Sequence, residues 1–320
     1  MAGKNILVTG GLGAVGSYLV KELCSRGHTV VVADTRHHGD RDYVRCDVGE
    51  FHQVERLWLG GGWAKGYASA PRKFDTVYHL AAEFGRWNGE DYYETLWRSN
   101  AVGTKNILRM QEREGFQAIY FSSSEVYGDY PEVMSEDVMD EVPIKQMNDY
   151  AMSKWVNEMQ VLNSAAQFGT QSVRVRLFNT YGPGEYYSPY RSVICLFCYQ
   201  VLHDIPITVY SGYKRTSTFI TDMARTLANI SERFMPGEVY NIGGDDFHSI
   251  EDAAEIVVRL AGKEKDRDRL IIAKGNEVLT TREKAVDCNK ARRDLDHKST
   301  VPLEDGIAQT IAWMRQIYKL

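Results

Sequence analysis

Tyr150 and Lys154 stand four residues apart in the run Asn148-Asp149-Tyr150-Ala151-Met152-Ser153-Lys154. On a helix this spacing puts both side chains on one face. A tyrosine hydroxyl ordinarily loses its proton near pH ~10. Positive charge beside it favours the phenolate, and a phenolate near neutral pH is a general base. An isolated Tyr-Lys pair is common, so the assignment needs support. It comes from Ser122-Ser123-Ser124-Glu125-Val126-Tyr127-Gly128, which follows an apolar run and places hydroxyls at the end of a strand. One of them can share a hydrogen bond with the tyrosine and a reacting oxygen. Three consecutive serines leave the register open by one residue.

A second constellation lies at the N-terminus. Gly10, Gly13 and Gly16, with Ala14 and Val15 between them, separate an apolar run from a helical one. Backbone without side chains can approach a pyrophosphate closely, and the following helix offers free N–H groups and partial positive charge. The glycines alone are a weak signal; the strand–turn–helix setting makes them a strong one. Asp34 closes the next strand, where its carboxylate can bind the adenosine ribose and repel the extra phosphate of NADP. NAD is therefore the expected cofactor, with Arg36 a nearby complication. Its oxidised nicotinamide adds the second positive charge beside Tyr150.

The elements that must position these groups alternate. Strands are predicted over Lys4–Thr9, Thr29–Asp34, Phe74–Leu80, Gln117–Ser123 and Ser172–Phe178. Helices are predicted over Ala14–Arg26, Tyr92–Glu114 and Tyr150–Gln167. Continuous apolar strands between helices imply an α/β, Rossmann-type doubly wound parallel sheet. After Pro183 the rhythm changes, with strands at Ile207–Tyr210 and Glu238–Ile242. Helices there are expected at Ser192–His203, Asp222–Phe234, Ile250–Ala261 and Glu304–Tyr318. Residues 1–182 are read as the cofactor domain. Residues 183–320 are read mainly as a smaller C-terminal α/β substrate-binding lobe, with segments free to cross back.

Composition narrows the classes further. A formal charge of -5 argues against a nucleic-acid partner, and 43% hydrophobic with 25% charged residues argues for a globular chain. No apolar run is long enough to span a bilayer, and the N-terminus lacks a signal-peptide layout, so the expected location is cytoplasmic with no membrane partner. Cys24, Cys46, Cys195, Cys198 and Cys288 are odd in number and scattered, as in a reducing compartment. Cys195 and Cys198 sit in an apolar helix without further ligands, so no metal site is expected. Gly60–Gly62 reads as a loop.

The ordered set of motifs resembles the extended short-chain dehydrogenase/reductase family of NAD-dependent nucleotide-sugar epimerases, dehydratases and decarboxylases. It runs from the glycine loop and Asp34 through Cys46-Asp47-Val48, His79-Leu80-Ala81-Ala82 and Asn100. It continues through Ser122–Gly128, Tyr150/Lys154 and Arg176–Gly184 to Arg215, Phe219–Asp222 and Asn241–Gly244. The resemblance implies that Asp47 and Val48 contact adenine, and that Leu80, Ala81 and Ala82 line the cofactor cleft. Lys154 would bind the nicotinamide ribose and tune Tyr150, and Asn100 would support the helix and active-site hydrogen bonds. Ser123 would be the catalytic hydroxyl, with Ser124 and Glu125 beside it. Asn179 and Arg215 would hold the substrate diphosphate. Glu83 and Arg86 follow the third strand, where the family places sugar-facing residues, and Arg86 is suited to a uronate carboxylate. Tyr186, Tyr187, Tyr190 and Arg191 are candidates for base stacking or a lid.

By this resemblance the substrate is a nucleotide-diphosphate sugar oxidised transiently at C4. The 4-ketone then leads to epimerisation at C4, or to dehydration or decarboxylation directed at C5, with Glu125 the candidate C5 base. The rival readings are an NADPH-dependent 4-keto-sugar reductase, opposed by Asp34, and a non-catalytic dinucleotide sensor, opposed by the intact Tyr-Lys pair. The family commonly forms homodimers through two long helices, here Tyr92–Glu114 and Tyr150–Gln167.

Overall fold

The short apolar runs of the first half pair edge to edge, because strands buried on both faces satisfy their backbone only with one another. In the computed structural model, which describes residues 3–39, 42–59 and 72–320, the first half runs as follows. It contains β1 (Asn5–Thr9), α1 (Ala14–Ser25), β2 (Thr29–Asp34), β3 (Tyr43–Arg45), α2 (Phe51–Leu59), β4 (Thr76–His79), α3 (Arg86–Asp91) and α4 (Tyr93–Trp97). It continues with α5 (Gly103–Glu114), β5 (Gln117–Ser123), α6 (Val138–Glu141), α7 (Asp149–Phe168), β6 (Ser172–Leu177) and β7 (Thr180–Tyr181). The second half contains α8 (Val193–Leu202), β8 (Ile207–Tyr210), β9 (Lys214–Thr216), β10 (Thr218–Phe219), α9 (Ile220–Glu232), β11 (Val239–Ile242) and β12 (Phe247–Ser249). It ends with α10 (Ile250–Ala261), α11 (Arg267–Leu270), β13 (Ile271–Lys274), β14 (Glu283–Lys284), α12 (Asn289–Leu295) and α13 (Leu303–Tyr318).

Seven strands form one sheet in the order β3-β2-β1-β4-β5-β6-β11, every neighbouring pair parallel. Period-two alternation divides its side chains between two cores. Ile6 and Val8 face the layer built with Leu19, Leu23, Met223 and Leu227, whereas Leu7 faces the layer with Trp58, Ile107 and Leu108. The chain order reverses beside β1, between β2 and β4. That opens a crevice at the C-terminal ends of the strands, the place where doubly wound sheets hold ligands.

β11 joins this sheet from beyond residue 183, next to β6, and α9 packs against α1. The chain thus passes from the small lobe back to the first and out again. The remaining part of the second half has its own core, in which Phe197, Val201, Val257, Ile307 and Met314 bring α8, α10 and α13 together. Cys195 and Cys198 are buried in that core, as their apolar surroundings imply. Met134 and Val286 bridge the chain's middle to its last third.

One predicted element differs. Residues 92–114 form not one helix but α4, a π-helical stretch Arg98–Val102 and α5. The interruption lets the Asn100 amide leave the helix face. Its oxygen accepts from the Glu83 N–H at 2.8 Å, and its nitrogen donates to the Glu83 carbonyl and the Ser153 hydroxyl, both at 3.0 Å. π-helical turns commonly mark such functional positions. Gly60–Gly62 lie outside the described residues. No helix among the described residues is long and apolar enough to cross a membrane.

The turn from β1 into α1 tolerates no added atoms. A Cβ on Gly16 would lie 2.2 Å from the Gly10 carbonyl oxygen, and both partners are backbone. We expect Gly16→Ala to lower stability by about 1–3 kcal/mol, the usual cost of overpacking, as read from chemical denaturation. A stability equal to wild type would contradict this close approach.

Candidate active site

A cleft of about 870 Å³ runs across the C-terminal ends of the sheet, with the first lobe as its floor and the small lobe as its other wall. Gly10, Gly13, Ala14, Val15 and Gly16 line one end. The N-terminus of α1 carries no side-chain cap and no acidic residue in its first turn, so its N–H groups and dipole remain available to an anion. A Cβ on Gly13 would meet only the Gly10 oxygen, at 3.1 Å, and would project where a phosphate must approach. Asp34 accepts from the Leu12 N–H at 3.0 Å and from the Arg36 N–H at 3.1 Å, so it braces the glycine loop as well as lining the cleft. Carboxylate oxygens retain lone pairs for ribose hydroxyls beyond these two bonds. Arg36 lies 3.5 Å away, directed at the same carboxylate. Asp47 and Val48 also line this end. Asp47 is braced by the Gly49 N–H at 2.9 Å and by Arg98 at 3.0 Å.

Leu80, Ala81 and Ala82 form the adjoining stretch of wall. Behind them runs a buried chain of hydrogen bonds. The Ala81 N–H donates to the Thr9 hydroxyl at 3.2 Å, which lies 2.8 Å from His79 Nδ1; His79 Nε2 lies 3.3 Å from the Thr104 hydroxyl. Burial, assisted by the Lys154 charge, pushes His79 down to about 3, so it is neutral at ordinary pH. A dinucleotide bound along this surface would have its pyrophosphate at the helix N-terminus, a ribose at Asp34 and the remainder along Leu80–Ala82. NAD fits these residues. Asn100 is set behind the wall, where its amide braces Glu83 and Ser153.

Tyr150 and Lys154 both face the cleft from α7, as their spacing requires. The helix starts where it does because the Asn148 side chain caps it, accepting from the Ala151 N–H at 2.8 Å. β5 ends in a short 3₁₀ turn, Ser124–Tyr127, which sends the three serines to different neighbours. Ser122 turns to Glu158, Ser123 accepts from the Glu125 N–H at 3.2 Å and lowers the pKa of Tyr150, and all three serines line the cleft. Lys154 is anchored on the strand end. Its ammonium donates to the Phe121 carbonyl at 2.9 Å and lies 5.8 Å from the Tyr150 ring centroid. Burial pushes the Tyr150 hydroxyl up to about 12. Ser123 opposes that rise and the Glu125 charge adds to it. Burial also lowers Lys154 to about 8. The chain's own residues therefore hold Tyr150 protonated, and its activation requires additional positive charge.

Glu125 is likewise held by the chain's own residues. It is bonded to Lys284 at 2.5 Å. Burial alone would raise its pKa, but Lys284, Arg86 and Arg215 overcome that and hold it at about 2. A carboxylate so stabilised is a weak base, which argues against its removing a C5 proton. Arg86 donates to Glu277 at 2.7 Å. Arg215 donates to the Lys214 and Arg282 carbonyls at 2.7 and 2.8 Å, and to the Thr280 hydroxyl at 3.2 Å, with Glu277 at 4.0 Å. Three cations and two carboxylates thus gather at one end of the cleft. Glu277, Thr280 and Lys284 were not singled out from the sequence. They lie in an irregular stretch with no spacing signal, and only the pairing of β14 with β9 brings them in.

Of the other candidates, Glu83, Asn179 and Arg191 line the cleft. Glu83 accepts from the Asn88 amide at 3.0 Å. Asn179 has φ +30° and donates to the Thr216 carbonyl at 3.0 Å. The Arg191 guanidinium sits 4.2 Å over the Phe84 ring, joining the two walls. Tyr190 reaches across as well, donating to Asp91 at 2.8 Å. Tyr187 packs instead within the small lobe, stacked on Tyr199 at 3.7 Å, and Tyr186 lies edge-on to Trp313 at 5.2 Å. Among the described residues no cluster of His, Cys, Asp and Glu is placed to hold a metal.

Comparison with known proteins agrees with this geometry. The model of the NAD dependent epimerase/dehydratase family matches residues 6–243. The chain is 31% identical to a UDP-N-acetyl-alpha-D-glucosaminuronate decarboxylase of Bacillus cytotoxicus, covering 98% of each protein. It is 30% identical to UDP-glucuronic acid decarboxylase 1 of Xenopus tropicalis, covering 98% of this chain and 72% of that one. Among solved structures it is similar to MoeE5 in complex with UDP-glucuronic acid and NAD, with a TM-score of 0.83 and 26% identity over 98% of this chain and 99% of that one. The chain therefore belongs to the NAD-dependent epimerase/dehydratase family and is an enzyme that uses NAD as its cofactor.

Proposed function

We propose that this enzyme decarboxylates a UDP-hexuronate by oxidising its C4 hydroxyl, releasing carbon dioxide and reducing the ketone again. The observation that carries the reading is the charge balance around Arg86, Arg215 and Lys284. Among the described residues their carboxylate partners in the cluster are Glu125 and Glu277, which leaves one positive charge over at a largely buried site. Buried ions need partners, and a uronate carboxylate supplies the missing one. The relatives named above act on UDP-sugars that carry this group.

In this reading Tyr150 takes the proton of the 4-hydroxyl and Ser123 steadies the same oxygen. Lys154 holds the ribose of the cofactor. NAD, when bound, supplies the hydride acceptor and donor for C4 and the positive charge that Tyr150 needs for ionisation. Asn179 and Arg191 face the diphosphate and nucleotide portion. The 4-ketone lies β to the carboxylate, so the C5–C6 bond breaks with its electron pair drawn towards the ketone oxygen, and carbon dioxide leaves. C5 then takes a solvent-exchangeable proton, and Tyr150 returns its proton to the C4 oxygen. No base at C5 is needed, because the electrons come from the broken carbon–carbon bond. This agrees with the weak basicity of Glu125.

The residues after 183 that enclose the cleft serve, in this proposal, as the substrate lobe, and those before it as the cofactor domain. A homodimer through α4, α5 and α7 accords with the exposed Tyr93, Val102, Met152 and Leu162 on these helices and the stretch between them. Five unpaired thiols accord with a cytoplasmic location.

Incubation with UDP-glucuronate and its 2-acetamido analogue in deuterated water tests the reading. We expect carbon dioxide and a UDP-pentose deuterated at C5, with no added reductant. A product that keeps its carboxyl group would overturn decarboxylation. Tyr150→Phe should retain NAD while turnover falls by about 10²–10⁴-fold, the usual contribution of a general base. Full activity would remove Tyr150 from that role. Because burial lowers Lys284 to about 8, the cluster loses a positive charge as pH rises through that value. The KM for a UDP-hexuronate should therefore climb above about pH 8 while binding of UDP-glucose, which lacks the carboxylate, stays level. Parallel pH profiles for the two ligands would contradict the assignment.

A further inference from the structure

Glu158 is a buried carboxylate that the reaction does not use, and it is completely occupied. It accepts from Arg176 Nε at 2.9 Å and Nη2 at 2.8 Å, from Arg174 at 3.2 Å and from the Ser122 hydroxyl at 2.5 Å. Arg176 is itself fully buried, and its remaining N–H groups reach the Tyr127 hydroxyl and the Glu136 carbonyl, each at 2.9 Å. Glu158 raises the pKa of Arg176 and Arg176 lowers that of Glu158, against the burial that works the other way on both. An apolar pair would fill the same space without the desolvation cost of two ions. The placement of this pair shows what it does.

Tyr150, Lys154 and Glu158 follow at intervals of four on α7, so they form one face of the helix. Each meets the end of β5. Tyr150 faces Ser123 in the cleft, Lys154 donates to the Phe121 carbonyl and Glu158 receives the Ser122 hydroxyl. The outermost contact is the catalytic one in the proposed mechanism. It is also the weakest anchored, because a tyrosine hydroxyl and a serine hydroxyl can both rotate away. The innermost is rigid, since Glu158 is held by a planar guanidinium from the adjacent strand β6. Ser122 is the covalent neighbour of Ser123. Fixing its hydroxyl fixes the exit of β5 and therefore the position of the Ser123 hydroxyl over Tyr150.

We propose that Glu158, held by Arg176, is a positioning residue: through Ser122 it sets the register of β5 against α7 and thereby the placement of Ser123 beside Tyr150. The inference rests on the assignment of Tyr150 and Ser123 made above. Glu158→Gln would leave Arg176 buried beside a neutral partner, and a folding defect would obscure its effect. Ser122→Ala is the cleaner variant, because it removes the tie and leaves the Glu158–Arg176 pair intact.

With a UDP-hexuronate as substrate, Ser122→Ala should fold and retain NAD, with the KM within about twofold of wild type and kcat down by about ten- to a hundredfold, as expected for a small misplacement of reacting groups. Ser123 lowers the pKa of Tyr150, so displacing it should move the limb of the kcat profile that reports tyrosine ionisation to higher pH. Ser122→Thr, which keeps the hydroxyl, should restore both kcat and the profile. A Ser122→Ala enzyme with wild-type kcat and pH profile would overturn the inference. So would a loss of stability with kcat and KM impaired together, no movement of the profile and no rescue by threonine, since that is a structural effect alone. Tyr150→Phe run alongside separates the two levels. If it is inactive and Ser122→Ala is normal, only the positioning role fails. If Tyr150→Phe is active, the catalytic assignment fails and the positioning role with it.

Discussion

Charge taken out of water is the constraint on which this site depends. Tyr150, Lys154, Glu125, Lys284, Arg86 and Arg215 all border one cleft or its immediate wall, and burial works against the ionised form of each. In water these groups would be ordinary acids and bases. Here each must find an opposite charge or give up its own. Glu125 finds three cations and becomes a very weak base. Lys154 finds only a carbonyl and becomes a weaker base than a free lysine. Tyr150 finds one hydroxyl and stays protonated until more positive charge arrives. Chemistry is thereby tied to a filled site: the residues are poised to act on a ligand that brings the missing charges, and are quiet towards water.

The fold makes this arrangement possible by ending its strands together. β1, β2, β4 and β5 all deliver their C-terminal residues to the same crevice, so the glycine loop, Asp34, Leu80–Ala82 and Ser123–Glu125 become neighbours although the chain separates them widely. Hydrogen bonds behind the wall, from Thr9 through His79 to Thr104 and from Asn100 to Glu83 and Ser153, hold these ends in register. The small lobe contributes the opposite wall, and its charged residues face the first lobe's Glu125 and Arg86. The two walls therefore complete one electrostatic site that neither contains alone.

Much of this was legible in the sequence because the signals are local. The glycine loop needs small residues at set intervals between a strand and a helix, and β2, β5, β8 and α10 fall at their predicted boundaries. Tyr150 and Lys154 share a face because helical geometry leaves no alternative. The serine register was not legible from the residues themselves, since all three are alike; the family resemblance alone pointed to Ser123. The split at Arg98–Val102 was also hidden: its cause is Asn100 reaching residues at a distance in the chain. Lys284 and Glu277 are the extreme case. Nothing in their surroundings marks them, and their role beside Glu125 exists only because β14 pairs with β9.

The central claim is that carbon four of the sugar is oxidised and then reduced within one catalytic cycle. A UDP-hexuronate carrying deuterium at C4 tests it most directly, with turnover measured in the absence of any added reductant and the product examined by NMR. The account predicts that the deuterium is found again at C4 of a product that has lost its carboxyl group, and that the labelled substrate turns over more slowly. Product formed at an undiminished rate, or with its C4 deuterium replaced by solvent hydrogen, would contradict it.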